Sequence, residues 1–285
     1  MEAKEHTIIT EENQTAFRSW LKEEEKAQAT IEKYERDLRA FSLWLCGAEV
    51  TKEAAVDYKH YLLHDCGRAA TGVNAALAAL NAFFRFIELN IKLKPLKVQR
   101  QTFRGKETEL TKDEYKRLLA AAGAKGNERL NLAMQTICST GIRVSELRFI
   151  TVEAAHAGEV CINNKGKART IFVPKDLKPI LIRYANANGT RTGCIFITKT
   201  GKPLNRSNIW FGMKRLCEAA AVEPGKVFPH NLRALFARLF YEMDKDVIRL
   251  ADILGHSDVD TTRIYLKESG ENHRRRMDDL NLVVT

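Results

Sequence analysis

At 285 residues, 45% of them hydrophobic, the chain can build one large core or two ordinary ones, which excludes wholesale disorder. Lys and Arg number 46 against 36 Asp and Glu, and the net charge of +10 points to a polyanionic partner. No apolar run reaches the roughly 18 residues of a membrane crossing, and the polar, acidic opening MEAKEHTIITEEN lacks the apolar centre of a secretory signal, so the expectation is a soluble cytoplasmic protein without membrane contact.

The first hundred residues read as helix throughout, with no strand pattern. TIEKYERDLRAFSLWL places Ile31, Tyr34, Leu38, Phe41 and Leu45 on one helical face. Thr51 is a good N-cap for TKEAAVDYKHYLL, with Glu53 in its first turn. TGVNAALAALNAFFRFIELN is a third helix, and Phe83, Phe84 and Phe86 belong to its core face. Residues 1–97 therefore read as a small helical domain. The segment KLKPLKVQRQTFRGKETEL then combines a proline with dense Lys and Arg and little apolar content. It reads as a basic linker over residues 98–109, suited to run along a phosphate backbone.

A second domain, residues 110–285, opens on a capping box formed by Thr111 and Glu114. NLAMQTICSTGIRVSELRFI reads as helix, glycine turn, helix, and EVCINNKGKARTIFVP as two strands of a hairpin around a basic turn. Helical patterns return in LKPILIRYANA, SNIWFGMKRLCEAA, NLRALFARLFYEM and DVIRLADIL. The fold class expected is mainly α (α+β), a helical bundle followed by a mixed domain with a small β-hairpin. Six cysteines, at 46, 66, 138, 161, 194 and 217, form no CxxC and mostly lie in apolar runs. They read as reduced, buried thiols, with neither a disulfide framework nor a zinc site.

Several residues carry chemistry that a core does not need. Arg143 follows a glycine turn in TGIRVSELR, and Lys165 and Lys167 flank the glycine of the hairpin turn. His230 and Arg233 are three apart in PHNLRALF, so they share a helical face. His256 follows Gly255, and Tyr265 comes nine residues later. Taken singly, each has an ordinary reading: a surface arginine, solvated lysines, a helix-capping histidine, a packed tyrosine. Together they supply cations and one hydroxyl, with no carboxylate cluster for a metal. Arginine forks can hold two oxygens of a phosphate and stay charged at working pH. A tyrosine hydroxyl can form a covalent phosphotyrosine, while lysine and histidine can move protons. The Gly-x-Ser-x-Gly elbow and phosphate-cradling glycine loops are absent from the sequence, which removes common hydrolase and nucleotide-binding readings.

In order and spacing this set resembles the tyrosine recombinase family (phage integrases and Xer-type recombinases), over nearly the whole chain. TGIRVSEL is similar to the first arginine box, which makes Arg143 the first catalytic arginine and Glu146 its acidic companion. NKGKARTIFVP is similar to the hairpin carrying the family lysine, Lys165, with Lys167 as a phosphate contact. HNLRALFA gives His230 and Arg233, and LGHSDVDTTRIYL gives His256 and the nucleophile Tyr265. Ala234 and Leu235 depart from the His and Ser or Thr often found there. The resemblance further implies that residues 1–97 are a core-binding (SAM-like) bundle, with Lys33, Arg36, Arg68, Thr71 and Asn74 as candidates for DNA contact. Arg104, Arg169, Lys202 and Arg206 are further candidates beyond the bundle.

The implied activity is strand exchange at DNA recombination sites through a 3′-phosphotyrosyl link and a Holliday junction, with no cofactor or metal. It also implies a homotetramer on DNA, assembled by exchange of the tail NHRRRMDDLNLVVT through Met277, Leu280, Leu282, Val283 and Val284. A non-enzymatic DNA-binding regulator and a type IB topoisomerase are the alternatives. Integration, excision, chromosome-dimer resolution and inversion stay open, as does the target site.

Overall fold

The computed structural model describes residues 8–98, 109–164, 167–256, 258–263, 265 and 277–279. The chain divides into two compact units, residues 1–100 and 101–285, each with its own core. Most of the segment read as a basic linker, residues 99–108, lies outside the described residues, and Arg104 with it.

The first unit has four helices: α1 (Glu11–Glu23), α2 (Gln28–Leu45), α3 (Lys52–His64) and α4 (Ala70–Phe86). Its centre is aromatic. Phe17, Phe41, Tyr58, Phe83 and Phe84 are at most 2% exposed, and Phe17 meets Phe83 edge-on with ring centres 5.3 Å apart. Each such ring contributes roughly 1.5–3 kcal/mol by leaving water, so this cluster outweighs the many polar positions on the same helices. Thr51 caps α3 by accepting the Ala54 N–H. Thr10 and Asn13 cap α1 reciprocally, a box that the polar opening of the chain conceals. Beyond α4, two asparagines tie down the following segment. Asn81 pairs with both backbone groups of Leu93 (3.0 and 2.8 Å), and Asn74 does the same with Leu96 (2.9 and 2.7 Å). Asn74, read from the sequence as a DNA contact, thus has its amide occupied within the unit.

The second unit opens with α5 (Lys112–Ala124), whose capping box joins Thr111 and Glu114, and α6 (Glu128–Thr140). Gly141 ends α6 in the left-handed region (φ 65°). The helix expected next is a short 3-10 helix, Val144–Phe149, followed by α7 (Val152–Ala157). Strands β1 (Glu159–Asn164) and β2 (Lys167–Phe172) form an antiparallel hairpin in register from Glu159 opposite Phe172 to Asn164 opposite Lys167. Then come α8 (Leu177–Ala187), α9 (Arg206–Lys214), α10 (Cys217–Ala220), α11 (Pro229–Asp244), α12 (Val247–Leu254) and α13 (Val259–Arg263). The helix expected over SNIWFGMKRLCEAA is therefore two, broken at Arg215 and Leu216. Packing of α11 on α6 brings the HNLRALFA and TGIRVSEL segments together.

All six cysteines are free thiols, but the expectation that they are buried needs correction: Cys46, Cys66 and Cys161 are exposed and Cys217 alone is buried. Strand alternation explains Cys161, because its neighbours Val160 and Ile162 take the inward positions. Cys46 sits past the last turn of α2 in a left-handed cap (φ 49°). No helix among the described residues is long and apolar enough to cross a membrane.

Candidate active site

Two helix ends build the site. A Cβ on Gly141 would stand 2.5 Å from the Phe236 ring, so this cap position requires glycine for space as well as for φ. The chain then runs extended through Arg143 into the 3-10 turn. Glu146, 2% exposed, accepts the Arg143 backbone N–H at 3.0 Å and Arg143 Nη1 at 3.1 Å. The Arg143 side chain stays 38% exposed, and its Nη2 donates to the Gly255 carbonyl at 3.2 Å. It is a tethered cation with one face open to a ligand.

Arg233 occupies the second turn of α11, a helix whose start is preset by Pro229 at its first position. The side chain is buried, and every contact is a donation. Nη1 reaches the Gly141 carbonyl (2.5 Å), and Nη2 reaches the Leu254 carbonyl (2.7 Å) and His256 Nε2 (3.0 Å). Burial, then Arg143, pushes its pKa down to about 10, while the neighbouring Tyr265 acts the other way. Arg233 remains charged at neutral pH.

His256 follows the left-handed Gly255 that caps α12 (φ 64°). Guanidinium has no acceptor, so His256 Nε2 must accept from Arg233, which leaves the proton on Nδ1 to donate to Thr262 Oγ1 at 2.8 Å. Burial first, then Arg233, Arg143, Arg169 and His230, pushes the His256 pKa down to about 4. The imidazole is thus neutral in the free protein. Between its ordinary pKa of about 6.5 and this lower value, the unfolded chain binds a proton that the folded chain refuses. Stability present above pH 6.5 should therefore fall as pH drops toward 4. His256→Gln should flatten that limb in denaturant titrations at pH 7.5 and 5. An unchanged slope would assign the acid sensitivity to other groups.

Tyr265 is 4% exposed, with ring centres 5.8 Å from His256, nearly parallel at 18°, and 5.4 Å from His230. The structure thus gathers Arg143, His230, Arg233, His256 and Tyr265 into one cluster. Lys165 lies outside the described residues, and Lys167 opens β2. Ala234 and Leu235 are core residues. Arg169, read as a DNA contact, turns inward: it is 13% exposed and pairs with Glu146 Oε2 at 2.5 Å. It also donates to the Leu254 carbonyl. Lys33 pairs with Asp37, whereas Arg36, Arg68, Thr71, Lys202 and Arg206 are exposed. Thr262 escaped sequence reasoning, although two adjacent threonines between His256 and Tyr265 were a signal. No cluster of His, Cys, Asp or Glu among the described residues could hold a metal.

Residues 108–272 match the phage integrase family. The chain is 28% identical over 277 residues to tyrosine recombinase XerA of Thermococcus kodakarensis, covering 94% of each. It is 30% identical over 260 residues to tyrosine recombinase XerD of Halalkalibacterium halodurans, covering 83% of this chain and 86% of the relative. In fold it is similar to a lambda integrase (75–356) dimer crystallised on a COC′ core site, with a TM-score of 0.75 and 19% identity over 93% of this chain and 97% of that one.

Proposed function

The chain belongs to the phage integrase family and is a site-specific DNA recombinase; from that premise we propose how its residues cut and rejoin DNA. Tyr265 Oη attacks the scissile phosphorus, and the bond to the 5′ oxygen breaks as a 3′-phosphotyrosyl bond forms. Arg143 and Arg233 hold the non-bridging oxygens, where negative charge builds. His230, whose ring centre is 5.4 Å from that of Tyr265, takes the phenolic proton. His256 braces Arg233 and the tyrosine ring. Lys165 gives a proton to the departing 5′ oxygen. The phosphotyrosyl bond retains the energy of the broken one, so rejoining to a new 5′ hydroxyl needs no cofactor.

One observation carries this reading: the Tyr265 ring packs against both His230 and His256, and His256 in turn accepts from the buried Arg233. Incubation with DNA flanking the gene, followed by mapping of the breaks, tests it. Protein attached to 3′ ends supports it, and protein-free 3′ ends overturn it.

Lys165→Ala should slow cleavage strongly, and a substrate with sulfur at the 5′ bridging position should restore much of the rate, since a thiolate leaves without a proton. Lys167→Ala should instead weaken binding and lower its salt slope by about one unit. The reverse pattern would move the general acid to Lys167.

The DNA-facing set in this reading comprises the exposed Arg36, Arg68, Thr71, Lys202 and Arg206, contacts that position rather than specify. Four protomers assemble by docking the apolar tail that follows Tyr265 into the next subunit, since four head-to-tail contacts can close a ring. Ending the chain after Arg276 should spare melting and single-site binding but impair pairing of two sites in sedimentation. Unfolding of the truncated monomer would place the tail on its own domain.

A further inference from the structure

We propose that Arg169 is a positioning residue for this reaction, acting through Glu146 and the Leu254 carbonyl to aim Arg143 and the Gly255–His256 turn at one phosphate. The inference rests on the reading of the site given above. Arg169 belongs to β2, and both terminal nitrogens of its guanidinium are committed. Nη2 donates to Glu146 Oε2, the same oxygen that accepts the Arg143 backbone N–H, while the other oxygen holds Arg143 Nη1. The orientation of one carboxylate, fixed from behind by Arg169, therefore dictates where the Arg143 fork points. On its other side Arg169 Nη1 donates to the Leu254 carbonyl and approaches that of Ile253 at 3.5 Å. Leu254 also accepts from Arg233, so two arginines brace the last turn of α12 immediately before Gly255 and His256. Gly255 is cleared for this guanidinium: a Cβ there would stand 2.5 Å from Arg169 Nη1.

Two simpler roles fit less well. A phosphate contact needs an accessible fork, and this one is 13% exposed with both ends occupied. A purely stabilising role conflicts with its surroundings. Arg169 is buried near Arg143 and Arg233, its pKa is lowered by that burial, and its Nε is buried with no partner among the described residues. Apolar side chains of similar volume are often neutral or better in such a place. What the arginine adds is a rigid fork spanning a carboxylate and a helix-terminal carbonyl, which a lysine cannot do.

The test compares Arg169→Lys and Arg169→Ala in the full chain, with Arg143 intact and with Arg143→Lys, by salt-dependent DNA binding, single-turnover cleavage at saturating protein, and melting. With Arg143 intact, both substitutions should leave the salt slope of binding unchanged and slow cleavage by about a hundredfold, Lys as badly as Ala. With Arg143→Lys, the same substitutions should cost about tenfold at most, because one of the two groups they aim is already gone and only the Gly255–His256 turn is left to misplace. A salt slope lower by about one unit, restored by Lys, would make Arg169 a phosphate contact instead. Equal losses in both backgrounds, or losses explained by melting alone, would leave it a structural residue and overturn the proposal. If Arg169→Ala does not fold, Glu146→Gln takes its place and should match Arg169→Lys. Failure of the underlying reading would show separately, as absence of covalent product with every residue intact.

Discussion

Tyr265→Phe is expected to abolish covalent attachment to DNA while leaving DNA binding close to that of the unsubstituted protein. The ring lies 4% exposed against His230 and His256, and phenylalanine keeps that packing. What goes is one buried hydroxyl, whose polar interactions are worth about 1 kcal/mol of stability. Binding should hold because Arg143 keeps its tether on Glu146 and its open face, and the exposed cations of both units are untouched. The one other hydroxyl described at His256, that of Thr262, is held by Nδ1 as an acceptor, so the loss of chemistry should be complete rather than partial. A nicked duplex that traps the covalent complex, run on a denaturing gel, gives the readout. Covalent product persisting in the variant would remove Tyr265 as the nucleophile.

Arg233→Ala is expected to slow cleavage by about a thousandfold, the scale of losing a preorganised charge at the reacting centre, with a much smaller effect on folding. Two opposing changes explain the second part. The Gly141 carbonyl loses its side-chain donor, at a cost of about 1–3 kcal/mol, although the Leu254 carbonyl keeps Arg169. Against that, removing a buried guanidinium relieves the burial and the repulsion from Arg143 that hold its pKa near 10. Terms of similar size and opposite sign should leave the net change within about 2 kcal/mol. Arg233→Lys should remain slow as well, because a point charge cannot reach two carbonyls and an imidazole together. Denaturant unfolding beside single-turnover cleavage decides it. A collapse in stability, with near-normal cleavage per folded molecule, would make Arg233 a structural residue.

Much of the architecture was legible because it rests on local chemistry. The face of α2 through Ile31, Leu38, Phe41 and Leu45, the Thr51 cap and the Thr111–Glu114 box each depend on residues within a few positions of one another. The five residues that the structure gathers into one cluster were legible as a set because their order and spacing form motifs, although their distances were not. Local reading failed where a partner lies far along the chain. Arg169 looked like a hairpin cation free for phosphate, but Glu146, 23 residues before it, and Leu254, 85 residues after it, draw it inward. Asn74 looked like a polar surface residue, yet Leu96 claims its amide. The first helix, read only as part of a helical stretch, had no bounds of its own because Phe17 and Leu21 are its only fully buried residues in an otherwise polar segment.

The two glycine caps have a further consequence. The Gly141 carbonyl receives Arg233, and the Gly255 carbonyl receives Arg143. Each arginine thus fastens the end of the helix that precedes the other side's reacting group, and the two fastenings cross. Helix C-termini carry partial negative charge, which favours cations there before any DNA arrives. The aim of both guanidinium groups is therefore encoded in backbone torsion as well as in side chains. Positions 141 and 255 carry no functional group, yet any other residue at either must strain the main chain and displace a neighbour: the Phe236 ring in one case, Arg169 in the other. A mutational landscape of this protein would accordingly have two sharp minima of tolerance at its chemically emptiest residues, and a search for functional positions by side-chain chemistry alone would overlook both.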